Sequence, residues 1–292
     1  MLRSWILLIA AAMAAPAASL VSEVRAAIGK QDFAGAERLI RTRQSDGGDT
    51  PEVILAISWM GRGSLAAKRL DQAGAWAGET RKLALDALTR RALDADENLP
   101  LALGASIEVQ AHVLDQQGRR AEAVAFLRRE LETYRGASIR VRIQKNLHLL
   151  NLEGKPAPEL EKLALPKGRP VVLFFWAHWC PDCKRHAPLL ERLASQYKDL
   201  AILGPTQRYG YVAGGIEAGA AEESAYIEQV RRQFYGRLLP EAPVSEENFK
   251  RYGASSTPTL VFVDRKGIVR LYHPGQMTAE ALEAAVAKIA GP

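Results

Sequence analysis

"FFWAHWCPDCKRHAP", residues 174–188, holds the only two cysteines of a 292-residue chain, Cys180 and Cys183. It is preceded by "VVLFFW" (171–176), a continuous apolar run suited to a central parallel strand buried on both faces. "DCKRHAPLLERLASQY" follows as a helix, with Pro188 expected to kink it. The order strand, short turn, cysteine, helix places Cys180 at a helix N-terminus. Unpaired backbone N–H groups and the positive end of the helix dipole stabilise a thiolate there. A lowered pKa makes Cys180 the nucleophile of the pair. Pro181 fits the first helical position, where its missing N–H costs nothing. Cys183 falls one turn further on and less exposed, placed to resolve a mixed disulfide by attacking Cys180.

Downstream, strand and helix patterns alternate. "LAILG" (200–204) and "TLVFVD" (259–264) read as strands, and "EESAYIEQVRRQFYG" (222–236) reads as a helix. Asp264 to Gly267 makes a tight turn into "IVRLYH", and a last helix is capped by Thr278 and stops near Gly291. This is an α/β sheet with crossover helices over residues 153–292. Upstream, "NLEGKPAPELEKLALPKGRP" breaks helix periodicity with four prolines. Before it, residues 20–152 form an all-α region of helix hairpins with no convincing strand. Ala123, Phe126, Leu127, Leu131 and Tyr134 recur at spacings of three and four. Breaks are expected at Gly47-Gly48, Asn98-Leu99-Pro100, Gly118 and Gly136. "LGASIEVQAHVLDQQGRRAEAVAFLRRELETY" resembles a tetratricopeptide helix pair, and "KQDFAGAERLI" echoes it with Ala36 in the place of Ala123. The echoes are not separated by a whole number of 34-residue units, so a degenerate array or a plain bundle is expected.

The 39 Lys and Arg are interspersed with 33 Asp and Glu, so the formal charge of +6 describes a solvated surface and argues against nucleic acid as a partner. The opening "MLRSWILLIAAAMAAPAASL" sets Arg3 before an apolar run from Trp5 to Ala15, then small residues suited to cleavage after Ala17 or Ala18. This is the layout of a secretory signal peptide over residues 1–18. The apolar run is shorter than the roughly 20 residues that span a bilayer, and an uncleaved N-terminal anchor is the alternative. The expected location is periplasmic or otherwise exported, where disulfides persist. A single close pair of cysteines nevertheless closes too short a ring to serve as a staple.

Three motifs in order, "EGKPAPEL", "WAHWCPDCKRHAP" and "SSTPTLVFVDRKG", resemble the TlpA/ResA-like branch of the thioredoxin superfamily over about residues 153–292. The resemblance implies a thioredoxin fold, a periplasmic or membrane-facing thiol–disulfide oxidoreductase, protein disulfide or thiol substrates and a membrane electron donor. It implies no cofactor. It also implies that Pro258 is cis beside the cysteines, with the Thr257 backbone pairing with a bound substrate chain. Trp179, Pro181, Asp182, His178 and His186 are the active-site neighbours. Two positions depart from the family: His186 stands where Glu is common, and Phe174 replaces the buried aspartate of many thioredoxins. Deprotonation of Cys183 then falls to water, His178 or His186. Asp182 opposes a thiolate at Cys180, whereas Lys184 and Arg185 favour it.

Other uses of the pair were weighed. A zinc site needs two further ligands, and the geometry aims Cys180 at solvent and Cys183 at the core, so no metal is expected. A peroxidatic cysteine wants a threonine three residues earlier, where Ala177 stands. His178 reads as a surface residue able to tune Cys180, and Trp176 and Trp179 as core and rim packing. "GPTQRYGYVAGGIEAGAAEES" (204–224) is long for a connection. Gly214 and Gly215 suggest mobility, and Tyr209 and Tyr211 offer contact area for a lid or partner. The favoured function is reduction of protein disulfides through Cys180 and Cys183. The alternative is an interaction protein whose helical region docks a partner while the redox domain serves as scaffold.

Overall fold

The computed structural model describes residues 19–291, so the expected signal peptide lies outside the described residues. Seven helices come first: α1 Leu20–Gly29, α2 Phe33–Gly47, α3 Pro51–Ala66, α4 Leu70–Ala87, α5 Asn98–Gln116, α6 Arg120–Thr133 and α7 Arg140–Asn151. Then follow β1 Val171–Phe175, α8 Pro181–Gln196, β2 Ala201–Leu203, α9 Ala220–Tyr235, α10 Glu246–Tyr252, β3 Thr259–Val263, β4 Val269–Pro274 and α11 Ala279–Ala290. Among the described residues no helix is long and apolar enough to cross a membrane.

Three of the helical connections share one construction. Gln31, Lys68 and Gly118 each take a positive φ. In each turn this residue's N–H donates three residues back, and the next N–H donates five back: Gln31 to Ile28 and Asp32 to Ala27, Lys68 to Leu65 and Arg69 to Ser64, Gly118 to Asp115 and Arg119 to Leu114. These bonds satisfy the last carbonyls of α1, α3 and α5, as helix C-termini require. Five residues after each turn residue stands a fully buried alanine, Ala36, Ala73 or Ala123, which lets the paired helices approach closely. The first two turns have Gln31 and Lys68 in place of glycine, and the break between α3 and α4 is not among those expected. Asn98-Leu99-Pro100 does not interrupt a helix. It opens α5, where Pro100 sits in the first turn and its missing N–H has no partner to lose.

The sheet is mixed, in the order β2-β1-β3-β4. β1 runs parallel to β2 only and antiparallel to β3, so the expected central parallel strand has one parallel neighbour. All five β1 side chains are buried because both faces are covered. Val172, Phe174 and the following Trp176 face a core built with α8, α9 and α11. Val171, Leu173 and Phe175 face Phe249 and Tyr252 of α10 together with Leu152 at the end of α7. Helix α8 continues unbroken through Pro188.

Helix α7 is shared between the two halves. Ile143, Leu147 and Leu150 belong to the core of the helical region, whereas Leu149 packs on the sheet side. His148 Nε2 donates to the Arg251 carbonyl at 2.9 Å, and its ring meets Tyr272 of β4 edge-on at 5.6 Å. Gly253, left-handed at φ 62, ends α10 against the α7 backbone. A Cβ there would lie well inside van der Waals contact distance of the Lys145 nitrogen and, at 2.7 Å, of the Gln144 carbonyl carbon.

Two predictions follow from this joint. Gly253→Ala adds left-handed strain to a backbone clash, and urea unfolding should show a loss of about 2–4 kcal/mol. Burial holds the His148 imidazole below its ordinary pKa of 6.5, against the Arg251 carbonyl and with help from Lys155. A lowered folded-state pKa means that the unfolded chain binds more protons, so the stabilisation is complete above 6.5 and is lost as pH falls through the folded value. Unfolding free energies measured from pH 8 to pH 5 should decline on the acid side, with a shallower decline in His148→Gln.

Candidate functional site

Cys180 is the N-cap of α8, with extended backbone (φ −79°, ψ 107°), and its Sγ accepts the Cys183 N–H at 3.0 Å. Pro181 occupies the first helical turn as expected. The two cysteines form a disulfide with Cα atoms 5.3 Å apart. Cys183 is fully buried, and Cys180 is only 1% exposed, which corrects the expectation that it faces solvent. The cap explains the difference. Accepting a first-turn N–H turns Sγ back over the helix end and toward Cys183, which lies in the apolar core with Phe174, Trp176 and Leu190.

Both histidines are committed. His178, expected at the surface, is 1% exposed and donates from Nε2 to Glu223 Oε1 at 3.1 Å. Tyr209, Tyr211 and Tyr226 ring it edge-on at 5.4–5.7 Å. Burial lowers the His178 pKa, the hydrogen bond and charge of Glu223 pull the other way, and Lys184 adds to the lowering. The imidazole is therefore neutral at pH 7. His186 is fixed in one tautomer: Nδ1–H donates to the Asp182 carbonyl (3.0 Å) and Nε2 accepts the Met277 N–H (3.1 Å). Both of its ring nitrogens are engaged and neither is available to Cys183. The Asp182 carboxylate is held by Arg185 and Gln276, so Arg185 offsets most of its charge next to the disulfide. Lys184 lies over the Phe234 ring at 4.5 Å. Trp176 is buried and donates from Nε1 to the Gly204 carbonyl, whereas Trp179 is 45% exposed and stands against Tyr209 at 5.4 Å.

The Thr257–Pro258 bond is cis. Thr257 Oγ1 is shielded from solvent and has no hydrogen-bond partner among the described residues. Pro258 is followed directly by β3, which pairs with β1, and β1 leads into the cysteine turn. In this way the sheet register brings the loop before β3 and the start of α8 to one end of the sheet.

Within the segment 204–224, residues 210–218 form a hairpin. Val212 N–H bonds Ile216 O, Ala218 N–H bonds Gly210 O, and Gly214 and Gly215 form the tip with φ of 72° and 77°. Those glycines therefore serve the geometry of a turn, where mobility was expected. Glu223, at the start of α9, fastens the hairpin: its carboxylate accepts the N–H of Tyr209 at 2.5 Å and of Gly210 at 2.8 Å as well as His178. Nothing in the sequence marks Glu223, since an acid in the first turn of a helix ordinarily faces solvent and favours the dipole.

Residues 158–290 match the family model of a thioredoxin-like domain, which leaves α1–α7 outside the match. Thioredoxin-like protein YneN of Bacillus subtilis is 29% identical over 141 residues, spanning 45% of this chain and 76% of its own length. Thiol-disulfide oxidoreductase ResA of Bacillus anthracis is 30% identical over 145 residues, spanning 49% of this chain and 75% of its own. Among solved structures, a putative thiol:disulfide interchange protein DsbE from Chlorobium tepidum is 24% identical, covers 43% of this chain and 82% of its own, and has a TM-score of 0.34.

Glu223→Ala leaves the His178 N–H and two backbone N–H groups without an acceptor in a closed site. The expected cost is about 3 kcal/mol. Hydrogen exchange should speed up at the amides of Tyr209 and Gly210, and unchanged protection there would contradict this account of the hairpin.

Proposed function

The chain belongs to the thioredoxin-like family of thiol–disulfide oxidoreductases, and from that premise we propose that it is an exported reductase of protein disulfides. In the reduced protein, Cys180 as thiolate attacks one sulfur of a substrate disulfide. An intermolecular disulfide forms and the other substrate sulfur leaves as a thiolate. Cys183 loses its proton and attacks Cys180 Sγ, and the second substrate sulfur leaves. Two electrons pass to the substrate, which ends as a dithiol, and the protein ends as the Cys180–Cys183 disulfide. A membrane donor returns the dithiol state. The Thr257 backbone beside Pro258 pairs with the substrate chain during attack.

The observation that carries the direction is the closure of both sulfurs in an apolar cluster with Phe174, Trp176, Ala177 and Ala187. Desolvation disfavours the charged thiolate, whereas the disulfide is neutral and loses nothing by burial. A couple whose reduced form is not specially stabilised lies on the reducing side, since the strongest oxidants of this kind owe their potential to a stabilised reduced form. The Cys183 N–H and the helix dipole work against this at Cys180, and burial opposes them at the same sulfur. With His186 engaged and Phe174 in the family's acidic position, the Cys183 proton leaves through water. Export is supported by the apolar N-terminal run of residues 5–15 that follows Arg3.

Equilibration in glutathione or dithiothreitol buffers, with trapping of free thiols, tests the direction. The couple should lie near or below about −230 mV, whereas a value near about −120 mV would make the protein a disulfide donor. Cys180→Ser should abolish reduction of a disulfide substrate, and Cys183→Ser should accumulate a mixed disulfide visible on a non-reducing gel. Full turnover by either variant would refute the mechanism.

A further inference from the structure

Where α3, α5 and α7 meet the loop before Pro258, a groove of about 450 Å³ opens. Arg62, Glu108, Arg142 and Lys145 line its helical side, and Ser255 and Ser256 its other side. Leu101 stands at the rim and is 51% exposed. Ser256 immediately precedes Thr257, so a single Cα step of about 3.8 Å separates the groove wall from the residue proposed to pair with substrate. The groove therefore adjoins the loop that carries the cis-proline.

The groove carries more positive charge than it can satisfy. Glu108 is its one carboxylate, met by Lys145 Nζ at 3.0 Å, Arg142 Nε at 3.1 Å, Asn146 Nδ2 at 3.1 Å and Arg62 Nη2 at 3.9 Å. Burial raises the Glu108 pKa, but Lys145, Asn146 and Arg62 outweigh it and hold the group below the usual carboxylate range. Three cations thus share one anion. Among the described residues, two buried guanidinium nitrogens, Arg62 Nε and Arg142 Nη2, have no hydrogen-bond partner. Buried donors of this kind are rare because each costs about 1–3 kcal/mol, and an orphan of this kind calls for a missing partner. The positive surface continues outward, where Arg25 and Arg62 stack on Trp59 at 4.4 and 4.7 Å.

We propose that this groove binds an acidic segment of the substrate polypeptide, with Asp or Glu side chains near the cysteine under attack, so that the helical region selects what the dithiol reduces. A carboxylate entering the groove neutralises part of the positive charge that Glu108 leaves uncompensated on Arg62, Arg142 and Lys145. The concave shape and the neighbouring cis-proline loop favour an extended chain over a flat surface, and Leu101 offers an apolar contact beside the charges. The purpose assigned to the groove rests on the reductase reading, but the binding does not.

The test measures fluorescence anisotropy of labelled peptides on the full oxidised chain, the peptides being identical except for Glu, Gln or Lys at the variable positions. The Glu peptide should bind at least about tenfold more tightly than the Lys peptide, with the preference shrinking as salt rises through the range that shortens the Debye length to about 8 Å and below. Arg62→Gln/Lys145→Gln should bring the ratio close to one. Glu108→Gln moves the charge the other way and should tighten the Glu peptide severalfold, which guards against reading a folding defect as lost recognition. Equal affinity of the parent for all three peptides would overturn the proposal, as would a preference that survives the double substitution. Disulfide versions of the same peptides separate the two readings. Reduction of all three at one rate without selective binding removes the groove and keeps the reductase. Selective binding without reduction removes the reductase and keeps the groove.

Discussion

The first turn of α8 is capped by the atom that reacts. A helix start needs acceptors for its free N–H groups, and an oxygen side chain usually supplies one. Here Cys180 Sγ accepts the Cys183 N–H, so the geometry that begins the helix is also the geometry that joins the two sulfurs. The rest of the domain is arranged around that requirement. Leu190 and Leu193 hold the helix on the sheet, β1 delivers the chain to the turn, and pairing of β1 with β3 brings the cis-proline loop to the same end. A change in the charge of Cys180 is therefore a change in the cap of α8.

Around this atom the polar groups are spoken for. Asp182 is turned to Arg185 and Gln276, His186 is engaged at both nitrogens, and His178 faces away toward Glu223. Asp182 and Arg185 are paired with each other and Lys184 lies over the Phe234 ring, which leaves the helix end and the apolar enclosure as the two main opposed influences on the thiolate. The His178–Glu223 pair has a different consequence. It locks the hairpin of residues 210–218 and brings Tyr209 against Trp179, so the exposed tryptophan is supported on one side by a rigid wall.

How much of this was legible depended on whether a signal was local. The cap role of Cys180, the place of Pro181, the burial of Trp176 and the strand at β1 each follow from a few adjacent residues, and each was read in advance. Ala36 and Ala123 were visible as related positions. Ala73 was not, because its turn carries Lys68 where Gly118 advertises itself, although the hydrogen bonds are the same. Helix α10 has only seven residues, too few for a periodicity to stand out. His178 was misread because its partner lies 45 residues away at the start of another helix. A lone histidine beside a cysteine turn gives no hint that a carboxylate will reach it. The exposure of Cys180 was misjudged for a related reason: helix-end position was legible, but the inward turn of the side chain comes with the cap, in which Sγ accepts the Cys183 N–H.

The joint at α7 bears on why a redox domain and a helical array share one chain. Independent domains on a linker would meet through a small polar surface and move freely. Here one helix contributes Leu147 and Leu150 to the helical core while Leu149 and His148 serve the sheet, and Gly253 permits a backbone approach that no other residue type tolerates. Lys145 lies on this same helix and so does Arg142, and both line the groove beside Ser255 and Ser256. The contact that fixes the two halves together is thus also the one that sets charged side chains of the helical region next to the loop ending at Pro258. A bundle tethered loosely could not hold that register, because the groove has one wall from each half. The close packing of α7 on the sheet gives the helical region a defined position beside the loop that ends at Pro258, and a defined position is what selection of a substrate by its flanking residues requires.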